Sequence, residues 1–408
     1  MTSRRNVLKA AAVAYPLSQV VPVTVNAQPV YQTPTSFKRD YFKEIGVTPF
    51  INAAGGYSAY GGARMRPEVA EAIRYGSFHK AKVDEVHNAV GRRIAEMAGT
   101  EAAMVTSGAT AAMVIATAAC MTMGDKNKIE QLPDTSGLKN EVIIQKNHRY
   151  TYDRALIAAG AKLVQVSSEE ELIEAVGPNT AMMFWLFANH NPGGDNISMD
   201  KFLAVADENN VPTFLDGATM TPPASNVIDA CKLGFDLIGF SGGKGLRGPY
   251  SAGILLGRKD LVDYSRANSS PNSRSIGRGM KVASEEYLGM MVAFEVALGI
   301  NEEEDFAHKR VILNRIIAQM NGIPSLKAEI ILDEGMVSEL YLDLDWDQSV
   351  IKITIEQFIE MLRNGSPSIR IRMLKFAKGR VQLSSTVLAS GQEITVGKRI
   401  REIFENHL

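Results

Sequence analysis

Cysteine is nearly absent from this 408-residue sequence: only Cys120 and Cys231 occur, far apart, each in a stretch that reads as helical. Two such residues make neither a disulfide framework nor a zinc site, and they read as small buried hydrophobes. An excess of one charge sign is lacking as well. The formal net charge is −1, so nothing draws the chain in bulk to nucleic acid or to an anionic membrane, and no nucleic-acid partner is expected. The six histidines stand at 79, 87, 148, 190, 308 and 407, without H-E-x-x-H spacing, so no metal is expected. Internal repeats and low-complexity tracts are missing too. What remains is ordinary for a globular protein, 45% hydrophobic and 22% charged residues. The length exceeds the usual single core, which predicts two domains.

Uninterrupted apolar runs of membrane-spanning length are also lacking. The stretch from Ala10 to Val23 is broken by Pro16 and Pro22 and is short for a bilayer. It follows Arg4-Arg5 and Val7-Leu8-Lys9 and ends at Val25-Asn26-Ala27, so residues 1–27 read as a secretory signal of the twin-arginine type, cleaved after Ala27. A membrane-anchoring helix and a chance Arg-Arg pair are the plainer alternatives. The expectation is a periplasmic or secreted protein, exported already folded, with no stable membrane insertion once the signal is removed. Residues 28–40 are polar and proline-containing, and read as a linker.

From Val47 onward short apolar runs alternate with longer amphipathic ones. Strands are predicted over 102–106, 141–145, 162–166, 181–187, 212–215, 237–240 and 252–256, with helices over 67–97, 109–121, 152–159, 169–176 and 199–209 between several of them. That alternation predicts an α/β domain over 41–300, a mainly parallel seven-stranded sheet with helices on both faces. "AMMFWLF" is apolar throughout, as a strand buried on both sides requires. Residues 284–299 form a helix leading out of this domain. The remaining 301–408 predict a smaller α+β domain.

Ligands gather at the carboxyl ends of parallel strands, so the residues standing there carry the functional reading. "TSGAT" at 106–110 opens a helix whose backbone N–H groups and dipole suit a phosphate, with Thr106, Ser107 and Thr110 as added donors; an ordinary cap is the alternative. "KNHRY" puts His148 past the next strand, either as a structural residue or to stack on a flat ring. "FLDGA" brings Asp216 out of a buried strand, where it needs a structural donor or a protonated ring nitrogen. "FSGGKGLRGP" carries Lys244 three residues after Ser241. A phosphate loop of the Gly-x-x-x-x-Gly-Lys kind is excluded by Ile238 and Gly245. A plain turn or a covalent amine remains, with flanking glycines that would let a flat cofactor approach the backbone. A crowded lysine has a lowered pKa and forms an imine with an aldehyde. Pyridoxal 5'-phosphate needs a phosphate cup, a stacking group, a carboxylate for its ring nitrogen and a lysine, and the four occur here in order.

With those motifs, and with "GVTPFINAAGGYSAYGGARM" (46–65) and "IGRGMKVASEEYLGMMVAFE" (276–295), the sequence resembles the fold-type I pyridoxal-phosphate enzymes of the branch holding selenocysteine synthase and D-glucosaminate-6-phosphate ammonia-lyase, which are class-V-aminotransferase-like. The likeness covers about residues 40–300. It implies Lys244 as the Schiff-base residue, Asp216 as the ring-nitrogen partner, His148 as the stacking group, and Ser107, Gly108, Ala109, Thr110 and Ser241 around the phosphate. It implies a homodimer or larger homo-oligomer. The activity expected is β-elimination from an amino acid or amino sugar acid; racemisation, transamination and a catalytically silent secreted member of the fold are the alternatives. For the small amine-bearing anionic substrate, Arg247, Arg278, Lys281, Arg370 and Arg372 are the candidate cations, since arginine grips a carboxylate with two parallel bonds. The glycine pairs Gly55-Gly56 and Gly61-Gly62 are expected to form a loop over the substrate, or simply turns.

Overall fold

The computed structural model describes residues 39–187, 195–333, 339–374 and 377–408; the expected signal segment and nearly all of the expected linker lie outside the described residues. Twelve strands occur in it: β1 (Phe50–Ala53), β2 (Ala102–Thr106), β3 (Glu141–Gln145), β4 (Lys162–Val166), β5 (Thr180–Leu186), β6 (Thr213–Asp216), β7 (Leu237–Ser241), β8 (Gly253–Gly257), β9 (Lys327–Asp333), β10 (Glu339–Asp345), β11 (Ser368–Ile371) and β12 (Val381–Ser384).

Seven of them form one sheet in the order β2-β8-β7-β6-β5-β3-β4. All its neighbours run parallel except at β8, which is antiparallel to both β2 and β7. The sheet is covered on both faces, as the apolar strand sequences predict. Along β5 successive side chains point to opposite faces. Met183 and Trp185 join one core with Ile94, Phe202 and Phe294. Met182 and Phe184 join another with Met113, Ile115 and Leu156. Burying each large side chain of this kind contributes roughly 1.5–3 kcal/mol over leaving it exposed.

The single helix predicted over 67–97 is instead two, Pro67–Phe78 and Val83–Ala98, divided at His79, whose backbone is extended. The two halves serve different surfaces. Gly76 lies against Glu285 of the helix Ser284–Leu298, while Gly91 lies against the carbonyl of Ala103 in β2. One straight rod does not meet both.

The C-terminal unit holds the antiparallel sheet β12-β10-β9 and the two-stranded pair β1-β11. By position β1 falls within 41–300, yet it pairs in parallel with β11, and Ile51 and Ala53 join the core of the C-terminal unit with Leu342, Phe358 and Phe404. The chain therefore begins its described course in one unit and crosses into the other. Among the described residues no helix is long and apolar enough to cross a membrane, and no cluster of side chains suits a metal ion.

Candidate active site

Strand register lines up one edge of the large sheet. Leu186, Asp216 and Gly239 are neighbours across β5, β6 and β7. Ser241, Gly253 and Thr106 are neighbours across β7, β8 and β2. The ends of β2, β6 and β7 therefore deliver Ser107, Asp216 and Ser241 to a common side, with Lys244 three residues beyond Ser241.

At β2 the chain turns into the helix Gly108–Thr122. Ser107 is its N-cap but makes no side-chain capping bond. Gly108 has φ +77°, which only glycine adopts freely, and β8 passes so near that a Cβ on Gly253 would lie 2.7 Å from the carbonyl carbon of Gly108. Thr106 Oγ1 donates to the Gly108 carbonyl at 2.9 Å. The first-turn N–H groups of 108–110 are thus left without a side-chain acceptor, and Thr110 is exposed. This is the donor set a phosphate takes.

Asp216 closes β6 at 5% exposure. Its Oδ1 accepts the Ala218 N–H at 2.9 Å, and its Oδ2 accepts the hydroxyl of Tyr150. Tyr150 was not among the residues the sequence singled out: its partner lies 66 positions away, and only the fold joins them. His148 lies just past β3. Its ring is fully buried and packs edge-on to Trp185, centroids 4.6 Å apart. Nδ1 accepts the Leu186 N–H at 3.3 Å, and Nε2 faces Asp195 Oδ1 at 2.8 Å. Burial lowers its pKa against the pull of Asp195. The ring ties β3 to β5.

Lys244 rides a tight loop between β7 and β8, closed by Gly248 N–H to Gly242 O at 2.8 Å and Arg247 N–H to Lys244 O at 2.9 Å. The flanking glycines allow close protein packing: a Cβ on Gly245 would stand 2.2 Å from Pro222 N, and one on Gly242 2.7 Å from the Ala252 carbonyl. Burial pushes the Lys244 ammonium below its ordinary range, and the Asp216 carboxylate pulls partly the other way. That opposing effect places Asp216 and Lys244 within electrostatic reach of each other.

The glycine-rich segment after β1 touches this loop. Ala63 N–H donates to Gly243 O at 2.7 Å, and Tyr250 Oη donates to Ser58 O at 3.2 Å. The candidate cations divide. Arg247 is buried and its Nε donates to Arg64 O at 2.9 Å, which holds that segment in place. Arg278 approaches Ser270 Oγ at 3.4 Å, and Lys281 is exposed. Arg370 lies over Phe50 and donates to Arg363 O. Arg372 is 8% exposed, lies over Tyr341 at 3.9 Å, and bonds Gln382 Oε1 at 2.5 Å. It also faces the Tyr57 phenol, whose pKa burial raises and Arg372 lowers. The glycine-rich segment thus joins the lysine loop to an arginine of the C-terminal unit. A cavity of about 230 Å³ opens beside this seam, lined by Arg66, Gly245, Arg247 and Lys309 among others.

The class-V aminotransferase family model matches residues 66–268, which hold every strand-end residue above. A 5'-C-glycyluridine monooxygenase-decarboxylase of Streptomyces sp is 28% identical over 377 residues, 90% of this chain and 92% of that protein. A D-glucosaminate-6-phosphate ammonia lyase of Salmonella typhimurium (strain 14028s / SGSC 2262) is 26% identical over 374 residues, 90% and 98%. The solved structure of D-glucosaminate-6-phosphate ammonia-lyase superposes with a TM-score of 0.81 at 25% identity, over 91% of this chain and all of that one. The fold is that of the fold-type I pyridoxal-phosphate enzymes, a mainly parallel seven-stranded sheet with helices on both faces. Pyridoxal 5'-phosphate is the cofactor of that class, and the donor set here fits it: an uncapped helix N-terminus, a buried carboxylate on β6, and a lysine whose pKa burial lowers.

Proposed function

We propose that the chain is a pyridoxal-phosphate-dependent lyase that eliminates a β-hydroxyl from a small amine-bearing anionic substrate, an amino acid or amino sugar acid, and releases ammonia. The observation that carries this reading is the juxtaposition of Asp216 with Lys244 at adjacent strand ends. Likeness to an ammonia-lyase over nearly the whole chain supports the choice of reaction. When bound, the cofactor supplies an aldehyde for amines and an electron-withdrawing ring. The N–H groups of 108–110 and the Ser107 and Ser241 hydroxyls would hold its phosphate, and Asp216 would serve its ring nitrogen. Lys244 Nζ, its pKa lowered by burial, would take the α-proton. A β-hydroxyl then departs, and hydrolysis of the freed enamine gives ammonia and a keto product. Arg372 and the Tyr57 phenol beside it receive the substrate carboxylate, and the 55–63 segment covers it.

A second reading, oxidative loss of the substrate carboxyl, is favoured by the 28% identical monooxygenase-decarboxylase. One screen separates the two. The cofactor-loaded protein is given D- and L-amino acids and amino sugar acids while ammonia, carbon dioxide and dissolved oxygen are followed. Ammonia without added keto acid and without oxygen uptake supports elimination; carbon dioxide with oxygen uptake supports the second reading. Exchange of the α-proton with only the mirror-image product would make it a racemase. A folded sample that stays colourless with the cofactor would make it catalytically silent.

We further propose export by a twin-arginine route to the periplasm or medium, supported by the Arg4-Arg5 signal grammar, and a homodimer, supported by exposed Tyr75 and Phe78 on the helix Pro67–Phe78. Replacing Arg4 and Arg5 by lysine should trap the precursor in the cytoplasm; unchanged secretion refutes that route.

A further inference from the structure

Tyr150 has no part in the roles above, yet it is the side chain that bonds Asp216 Oδ2. Its ring is fixed from several elements. It stacks near Phe184 of β5 at 6.4 Å and 23°, and meets Tyr152 edge-on at 5.8 Å. Its hydroxyl lies 3.4 Å from Met113 Sδ on the helix Gly108–Thr122. Its backbone N–H donates to Asp153 Oδ2 at 3.2 Å, and Arg149 Nε holds that carboxylate at 2.5 Å. The phenol is therefore part of the wall of the site, built in beside Asp216.

Resting on the reading of Asp216 as the ring-nitrogen partner, we propose that Tyr150 is a positioning residue: by donating to Asp216 it fixes the carboxylate and takes up part of its charge, and so sets how strongly Asp216 holds a proton on the cofactor ring. A buried carboxylate needs donors. A donor to the charged form stabilises that form and makes it a weaker acceptor for the next donor. Burial, then the neighbouring Asp216, Asp153 and Tyr152, raise the phenol pKa far above its usual value, so Tyr150 keeps its proton and remains a donor throughout the working pH range. Lys244 is a further titratable group within electrostatic reach of Asp216.

The test uses the holoenzyme loaded with pyridoxal phosphate labelled with ¹⁵N in the ring, with the nitrogen chemical shift followed against pH. Tyr150→Phe should move the ring nitrogen toward its protonated position, raising its apparent pKa by about one unit, a tenfold gain in proton affinity. Site-specific 3-fluorotyrosine at 150 keeps the shape and is a stronger donor, so it should move the shift the opposite way; it carries the test alone if Tyr150→Phe does not fold. Wild-type shift and titration in both variants would overturn the proposal. Asp216→Asn is the separating control. If it too leaves the ring shift at the wild-type value, the role of Asp216 has failed rather than that of Tyr150.

Discussion

Lys309 stands 4% exposed between Asp305 and Glu339, 3.0 and 3.1 Å from their carboxylates, whereas among the described residues Lys244 has no carboxylate within ion-pairing distance. Burial lowers the pKa of both. At Lys309 the two carboxylates outweigh it and the pKa is raised; at Lys244 the single, more distant Asp216 does not, and the pKa falls. Enclosure alone therefore says little about what a lysine does. The number and distance of its counter-charges decide whether it is a fixed cation of the architecture or an amine available for chemistry.

The largest way to sharpen that contrast is Lys244→Ala. Loss of the base should cut turnover by about 10³-fold or more while far-UV circular dichroism stays unchanged, and preserved turnover would end the assignment. Next is Lys309→Met, which strands Glu339 at 7% exposure with Asp305 beside it. Removing one partner of a buried pair costs about 3 kcal/mol, readable as a lower urea midpoint. The same change at Lys244 should behave differently. In the cofactor-free protein Lys244 has a lower pKa folded than unfolded, so between those values the unfolded chain binds more protons and stability rises with pH toward 10.5. Lys244→Met removes that slope. Its stability relative to wild type should therefore be greatest near pH 7 and shrink by pH 10. A difference flat with pH would mean that Lys244 is not desolvated.

The central strands of the large sheet were legible because they are buried on both faces and read as short apolar runs, and 102–106, 141–145 and the half-exposed edge strand 162–166 also fall where predicted. β1 was not. Four residues, "FINA", give too little periodicity, and their partner β11 lies more than three hundred positions on. β9 was missed for a different reason: its exposure alternates with no fully buried position, as on an edge. The strand-end residues Asp216 and Lys244 were legible because turn glycines follow each strand. Tyr150 was not, since a tyrosine two places past a histidine carries no local mark of a carboxylate brought to it by the fold. The same holds for the protein neighbours of His148 and of the glycines around Lys244, which distant segments supply.

The parallel pairing of β1 with β11 has a consequence for biogenesis. A ribosome releases residues 50–53 long before 368–371, so a growing chain cannot seat β1 on its partner until residues 368–371 have emerged as well. The segment that follows β1, held at its far end by Ala63 on Gly243, therefore lacks its β1 anchor on a product truncated before 368. Emergence of β11 is thus the step that fastens the near end of the roof over the lysine.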